Sequence, residues 1–138
     1  MGALYLQDAV CLLPSRADLD ENMQYVAVSI QEMGGTAHLF AATSLLPQGT
    51  KQVKDEFCLQ ADIRLNEIAG RLEQIQATLD SVDESGALEQ IEEELKRERV
   101  AYLRARRRAY FGSTREDDVD ALLDALKRSL DELYRSDK

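Results

Sequence analysis

A chain of 138 residues with 44% hydrophobic content has enough apolar surface for a real core and room for one domain plus an appendage. Its 26 acidic against 17 basic residues give a formal charge of −9, so the molecule as a whole repels nucleic acid and acidic membranes, and contact with either has to be local. No run approaches the ~18 consecutive apolar residues of a membrane span, and the N-terminus lacks the basic-then-apolar layout of a signal peptide. Cys11 and Cys58 stand in apolar patterns without a CxxC or histidine pairing. A cytoplasmic protein with reduced structural thiols and no disulfide is therefore expected.

Ala3 to Leu13 is rich in Leu, Val, Tyr and Cys, is broken by Gln7-Asp8-Ala9 and is stopped by Pro14. That pattern predicts two short strands joined by a tight turn. A hairpin alone is marginal in water, so it must lean on later elements. Ser15 or Asp18 can cap the next helix, where Met23, Val26, Ala27, Ile30 and Met33 recur at helical spacing until Gly34-Gly35 ends it. Thr36 to Leu46 then reads as a strand closed by Pro47 and Gly49. The front of the chain is thus β-β-α-β.

From a cap at Thr50 the period changes. Cys58, Ala61, Leu65, Ile68, Leu72, Ile75, Leu79 and Val82 alternate steps of three and four, the seam of a helix roughly 45 Å long at about 1.5 Å per residue. Such a helix needs a partner. Leu88, Ile91, Leu95, Tyr102, Ala105 and Ala109 keep the same beat across the polar loop Asp83-Glu84-Ser85-Gly86, with only Glu98 interrupting. A four-residue loop between two seams favours an antiparallel helical hairpin. The flanking positions Asp62, Ala69, Gln76, Arg64, Arg71 and Thr78 lack the dense opposite charges that select a parallel coiled-coil dimer. Gly112 stops the second arm, and Ser113 or Thr114 starts a last helix with Glu116 and Asp117 in its first turn and an apolar face of Val119, Leu122, Leu123, Leu126, Leu130 and Leu133. Val100, Leu103 and Phe111 widen the second arm's stripe and offer a surface on which that face can dock.

Three phrases carry a family resemblance: Gly2-Ala3-Leu4-Tyr5-Leu6-Gln7-Asp8-Ala9-Val10-Cys11-Leu12-Leu13-Pro14, then Met23-Gln24-Tyr25-Val26 to Met33-Gly34-Gly35-Thr36-Ala37, then Arg104-Ala105-Arg106-Arg107-Arg108-Ala109-Tyr110-Phe111-Gly112. In order and over nearly the whole chain they resemble the N-terminal domain of the chromate-resistance regulator ChrB. Members begin with a further strand and a basic helix before the hairpin, many carry an acid where this chain has Ala109, and full-length members continue into a second domain associated with chromate sensing. The resemblance implies a ferredoxin-like front lacking its first strand, and a chain not expected to bind chromate itself. Without that strand, the strands at Val10 to Leu13 and Ala37 to Ser44 either pair directly through a right-handed crossover or are covered by a second copy.

The sharpest functional signal is Lys96, Arg97, Arg99, Arg104, Arg106, Arg107 and Arg108, a basic run in an acidic protein. Arg97, Arg104 and Arg108 share one helical face and Arg99 and Arg106 another, so contact with DNA phosphates is geometrically available, and Tyr110 can stack or donate nearby. The competing reading pairs these arginines with Glu116, Asp117, Asp118, Asp120 and Asp124 of the last helix. His38 is a lone imidazole in a strand, without the ligand spacing of a metal site. Glu92-Glu93-Glu94 reads as a solvated helix face. There is no GxGxxG, Walker loop, GxSxG or HExxH pattern, so neither an enzyme nor a cofactor is expected.

The expected fold is α+β: an incomplete ferredoxin-like β-β-α-β front over 1–49, then a long antiparallel helical hairpin and a C-terminal helix over 50–138. The expected function is that of a regulatory module contacting DNA through its basic helix. The alternative is a protein-interaction or dimerisation module with no nucleic-acid role. In either case a homodimer joined through the front half is expected, because the incomplete sheet presents more apolar and unpaired surface than one helix covers.

Overall fold

The computed structural model describes residues 2–7, 9–81 and 85–136. It is α+β and mostly helical, with two strands, β1 (Leu4–Gln7) and β2 (Val10–Leu12), followed by α1 (Ala17–Glu32), α2 (Gly49–Asp80), α3 (Ser85–Arg108) and α4 (Glu116–Ser136). The chain divides into two compact units, Met1–Glu56 and Phe57–Lys138, with the division falling inside α2.

In the first unit β1 and β2 form the expected antiparallel hairpin, pairing Leu4 with Leu12, Tyr5 with Cys11 and Gln7 with Val10. The register shifts between Tyr5 and Gln7, which is a bulge. Asp8, in the turn expected here, lies outside the described residues. Helix α1 forms where the apolar spacing places it, with Leu19 buried and Met23, Ala27 and Ile30 half-buried on one side, but Val26 and Met33 of the expected apolar set are exposed. Its expected side-chain cap does not form: Arg16 is the N-cap, and the Ser15 hydroxyl instead donates to the Asp20 carboxylate at 3.2 Å. Gly34 ends the helix in the left-handed region at φ +87, where its N–H donates to Gln31 O at 3.0 Å and the Gly35 N–H donates to Ile30 O at 2.9 Å.

The expected strand from Thr36 to Leu46 is absent. Residues 36–44 carry no regular structure, so the sheet has two strands and the crossover pairing of β2 with this segment does not occur. A strand owes its stability to the backbone and side chains beside it more than to its own propensity. Ala37, Ala41 and Ala42 bring little side chain to such a contact. Local bonds organise the end of the segment instead: Ser44 Oγ donates to Leu46 O at 2.9 Å and accepts from Leu46 N at 3.2 Å.

The second unit is an antiparallel bundle of α2 from Phe57 onward, α3 and α4. One core joins Leu65, Ile68, Ala69, Leu72, Ile75 and Leu79 of α2 with Leu88, Ile91, Leu95, Tyr102 and Ala105 of α3 and Val119, Leu123, Leu126 and Leu130 of α4. Burying a leucine fully contributes about 1.5–3 kcal/mol, so these seams dominate the stability of the unit. Cys58 Sγ donates to Phe111 O at 3.3 Å and Arg71 Nε to Glu98 Oε1 at 2.8 Å, while Tyr134 Oη donates to Glu92 Oε2 at 3.0 Å. Early residues of each helix thus meet late residues of the next.

Several local expectations are corrected. Phe57 rather than Cys58 is the buried residue at the head of the α2 seam. Asp83 and Glu84 of the expected loop, with Val82, lie outside the described residues, and Ser85 and Gly86 open α3 instead. Helix α4 does not dock on Val100, Leu103 and Phe111, which stay exposed, but shares the Leu95–Tyr102–Ala105 seam with α2. A third helix in the groove of a hairpin can touch both partners only through the seam they already share. Cys11 and Cys58 are both free thiols.

Candidate nucleic-acid interface

The basic run forms the C-terminal half of α3. Because Leu88, Ile91, Leu95, Tyr102 and Ala105 face the core, a period of 3.6 carries Lys96, Arg97, Val100, Leu103, Arg104 and Arg107 to the opposite side, and all six are exposed. Arg99 and Arg106 are exposed on a separate line, and Arg108 is half-buried. Arg106, Arg107 and Arg108 occupy the last turn, where cations meet the negative end of the helix dipole.

Lys96 Nζ lies 3.6 Å from Glu92 Oε1 one turn back on its own helix, an exposed pair of small energetic weight. Among the described residues, no ion pair joins Arg97, Arg99, Arg104, Arg106, Arg107 or Arg108 to Glu116, Asp117, Asp118, Asp120 or Asp124. Asp118 is held instead by Arg115, the residue just before α4, at 2.8 Å. Arg97, Arg104 and Arg107 are therefore exposed without an ion pair to the acids of the last helix, whereas Arg106 approaches Tyr102 together with Asp120 and Glu116.

One arginine acts on the interior. Tyr102 is buried, and its hydroxyl has no partner at hydrogen-bond geometry. Burial first, and the approach of the Asp120 carboxylate second, push the phenol up to about 12, with Arg106 pulling the other way.

Tyr110 does not line up with the arginines. It follows α3 in the turn, half-buried, with its ring edge-on to Phe57 at 6.3 Å between centroids and 81° between planes. Phe111 packs on the same ring at 5.4 Å. This aromatic group closes one end of the bundle.

Asp62 governs that end, and sequence reading placed it only as a seam-flanking residue. From the middle of α2 its Oδ1 accepts from the Ser113 hydroxyl and from the Thr114 N–H at 2.9 Å, and its Oδ2 accepts from the Thr114 hydroxyl at 3.2 Å. The Ser113 bond, followed by the Thr114 bonds and the charge of Arg115, holds the Asp62 carboxyl below its ordinary value against the opposing effect of burial. The serine and threonine expected to cap α4 are thus recruited by another helix, with the Ser113 hydroxyl also accepting from the Arg115 N–H at 3.1 Å, and α4 begins at Glu116. Glu98, the one break in the α3 seam, is likewise a cross-helix contact, with Arg71 on one oxygen and the other oxygen buried without a partner. A charged residue at an apolar seam position was the available signal for it.

His38 is exposed, with its ring 6.4 Å from that of Phe40. Among the described residues no group of three or more His, Cys, Asp or Glu is arranged to hold a metal ion. A cleft of about 330 Å³ is lined by Leu46, Pro47, Gln48, Gly49 and Gln52, which supply no acid, base or nucleophile. No helix among the described residues is long and apolar enough to cross a membrane. Compared with family models, curated proteins and solved structures, the chain matches none.

Proposed function

We propose that this chain is a non-enzymatic regulatory module that contacts the DNA backbone through the exposed basic side of α3, in the manner its resemblance to a chromate-resistance regulator implies. The observation that supports the reading is the exposure of Arg97, Arg104 and Arg107 on one side of a rigid helix, without carboxylate partners from α4. Cations held ready in this way displace counterions from phosphates with little reorganisation. The contact is sequence-tolerant, because no side chain of the group is committed to base edges.

Fluorescence anisotropy with duplex DNA tests this at low and moderate salt. Binding should weaken with salt at a log–log slope of about −0.9 per phosphate contacted. Changing Arg97, Arg104 and Arg107 to Ala should reduce affinity at least roughly tenfold, since each lost phosphate contact adds to the electrostatic loss. Absence of binding at low salt refutes the reading. The second reading, an interaction module without nucleic-acid contact, is favoured by a different observation: Val100 and Leu103 are exposed among the cations, where a DNA backbone has no use for them.

A further inference from the structure

Two helices of this chain carry exposed stripes with the same spacing and opposite charge. On α1, Glu21, Tyr25, Val28 and Glu32 follow steps of four, three and four, and all four are exposed, Tyr25 to 66% and Val28 to 50%. On α3, Lys96, Val100, Leu103 and Arg107 follow the same steps, with Val100 exposed to 57% and Leu103 to 44%. Each stripe lies opposite its helix's inward residues: Leu19, Met23, Ala27 and Ile30 on α1, and Leu95, Tyr102 and Ala105 on α3. Each places two apolar side chains between two like charges, acidic on α1 and basic on α3. Surface helices ordinarily keep this side polar, so two such stripes in one chain call for a shared explanation.

We propose that the Glu21–Tyr25–Val28–Glu32 stripe of one copy packs against the Lys96–Val100–Leu103–Arg107 stripe of a second copy, making the chain a homodimer. Steps of four and three give a pair of helices the periodic seam along which they pack side by side. Laid antiparallel, Glu21 meets Arg107 and Glu32 meets Lys96, while Tyr25 and Val28 cover Leu103 and Val100. Laid parallel, the same classes meet in the other order. Every copy carries both stripes, so each copy can offer one and receive the other. The apolar centres supply the attraction; the flanking charges set the pairing and oppose α1 on α1 and α3 on α3. The weak Glu92–Lys96 pair gives way at little cost. The proposal does not rest on DNA binding: of the three arginines on which that reading leans, Arg97 and Arg104 lie outside the stripe and Arg107 belongs to both surfaces.

Sedimentation velocity of the full chain over a concentration series, without DNA, tests it with two reversed variants, Glu21→Lys with Glu32→Lys and Lys96→Glu with Arg107→Glu. The unaltered chain should dimerise. Each variant alone places like charges across both contacts and should associate at least roughly tenfold more weakly, as like-charge juxtaposition does at interfaces. An equimolar mixture of the two restores opposite charge at both contacts, and should recover the dimer to within about threefold, the coupling a double-mutant cycle isolates. A contact inside one chain cannot be rescued by mixing. A chain that stays monomeric at every concentration, variants that dimerise like the parent, or a mixture no better than its components would each overturn the proposal. Anisotropy with duplex DNA on the unaltered chain and on Glu21→Lys with Glu32→Lys, which leaves every cation of α3 in place, reports the DNA reading separately.

Discussion

Leu72 and Gly70 stand two residues apart on α2 and should respond to alanine with opposite signs. Leu72 has 0% of its surface exposed and sits in the core shared by all three helices of the bundle, whereas Gly70 is exposed and a Cβ built on it meets nothing within 4 Å. Leu72→Ala removes three carbon atoms, about 2.4 kcal/mol of transfer free energy at about 0.8 per methylene. The residual cavity adds to this, giving an expected loss of about 2 to 5 kcal/mol. Against a total of about 4–12 kcal/mol for a unit of this size, that is a large fraction, and the melting temperature should fall by more than about 10 °C. Gly70→Ala fills open space at a helical position, removes backbone freedom from the unfolded chain, and should stabilise by up to about 1 kcal/mol. Urea unfolding followed by the helical circular dichroism signal reads both. A Leu72→Ala cost below roughly 0.5 kcal/mol would show that the seam is not packed core, and marked destabilisation by Gly70→Ala would place another element against that side of α2.

Removing the Asp62 carboxylate should cost about 1–3 kcal/mol, the range for hydrogen bonds to a charged acceptor. Because its folded pKa is lowered from 3.8, this contribution is present above that value and lost as pH falls through the folded pKa, so urea midpoints of the parent and Asp62→Ala should converge in acid. Tyr102 has the opposite sign: with a folded pKa of about 12 against 10, its contribution is intact below pH 10 and disappears as pH rises toward 12. Tyr102→Phe should change stability by less than about 1 kcal/mol at neutral pH, since the hydroxyl has no hydrogen bond to lose, yet soften the alkaline decline; an unchanged alkaline profile would count against the assignment. Arg71→Met alone strands the shielded Glu98 carboxylate and should cost about 1–3 kcal/mol, while Arg71→Met with Glu98→Leu should recover most of it. A double variant as unstable as the single would mean that packing, not charge, sets the cost.

The helices of this protein are legible in its sequence because their determinants are local or periodic. The three–four beat from Leu65 to Leu79 and from Leu88 to Ala105 specifies which side of each helix is buried whatever partner it meets, and Gly34 marks a stop because it adopts the left-handed backbone at φ +87, whereas α3 ends at Arg108, before Gly112 is reached. The β1–β2 hairpin is also short-range, needing only a turn between two apolar runs. What depends on distant partners was decided by the tertiary structure. The uncharged segment Thr36 to Leu46 has strand-like composition but, with no strand beside it, stays irregular, since a strand is completed by its neighbour's backbone. Ser113 and Thr114 have the chemistry of helix caps, yet Asp62, some fifty positions earlier, takes their hydroxyls. Whether the arginines of α3 are neutralised depended on which sides of α3 and α4 meet. Those helices join through Leu95, Tyr102 and Ala105 rather than through Val100 and Leu103, so the same packing leaves Arg97, Arg104 and Arg107 and two apolar residues together in solvent.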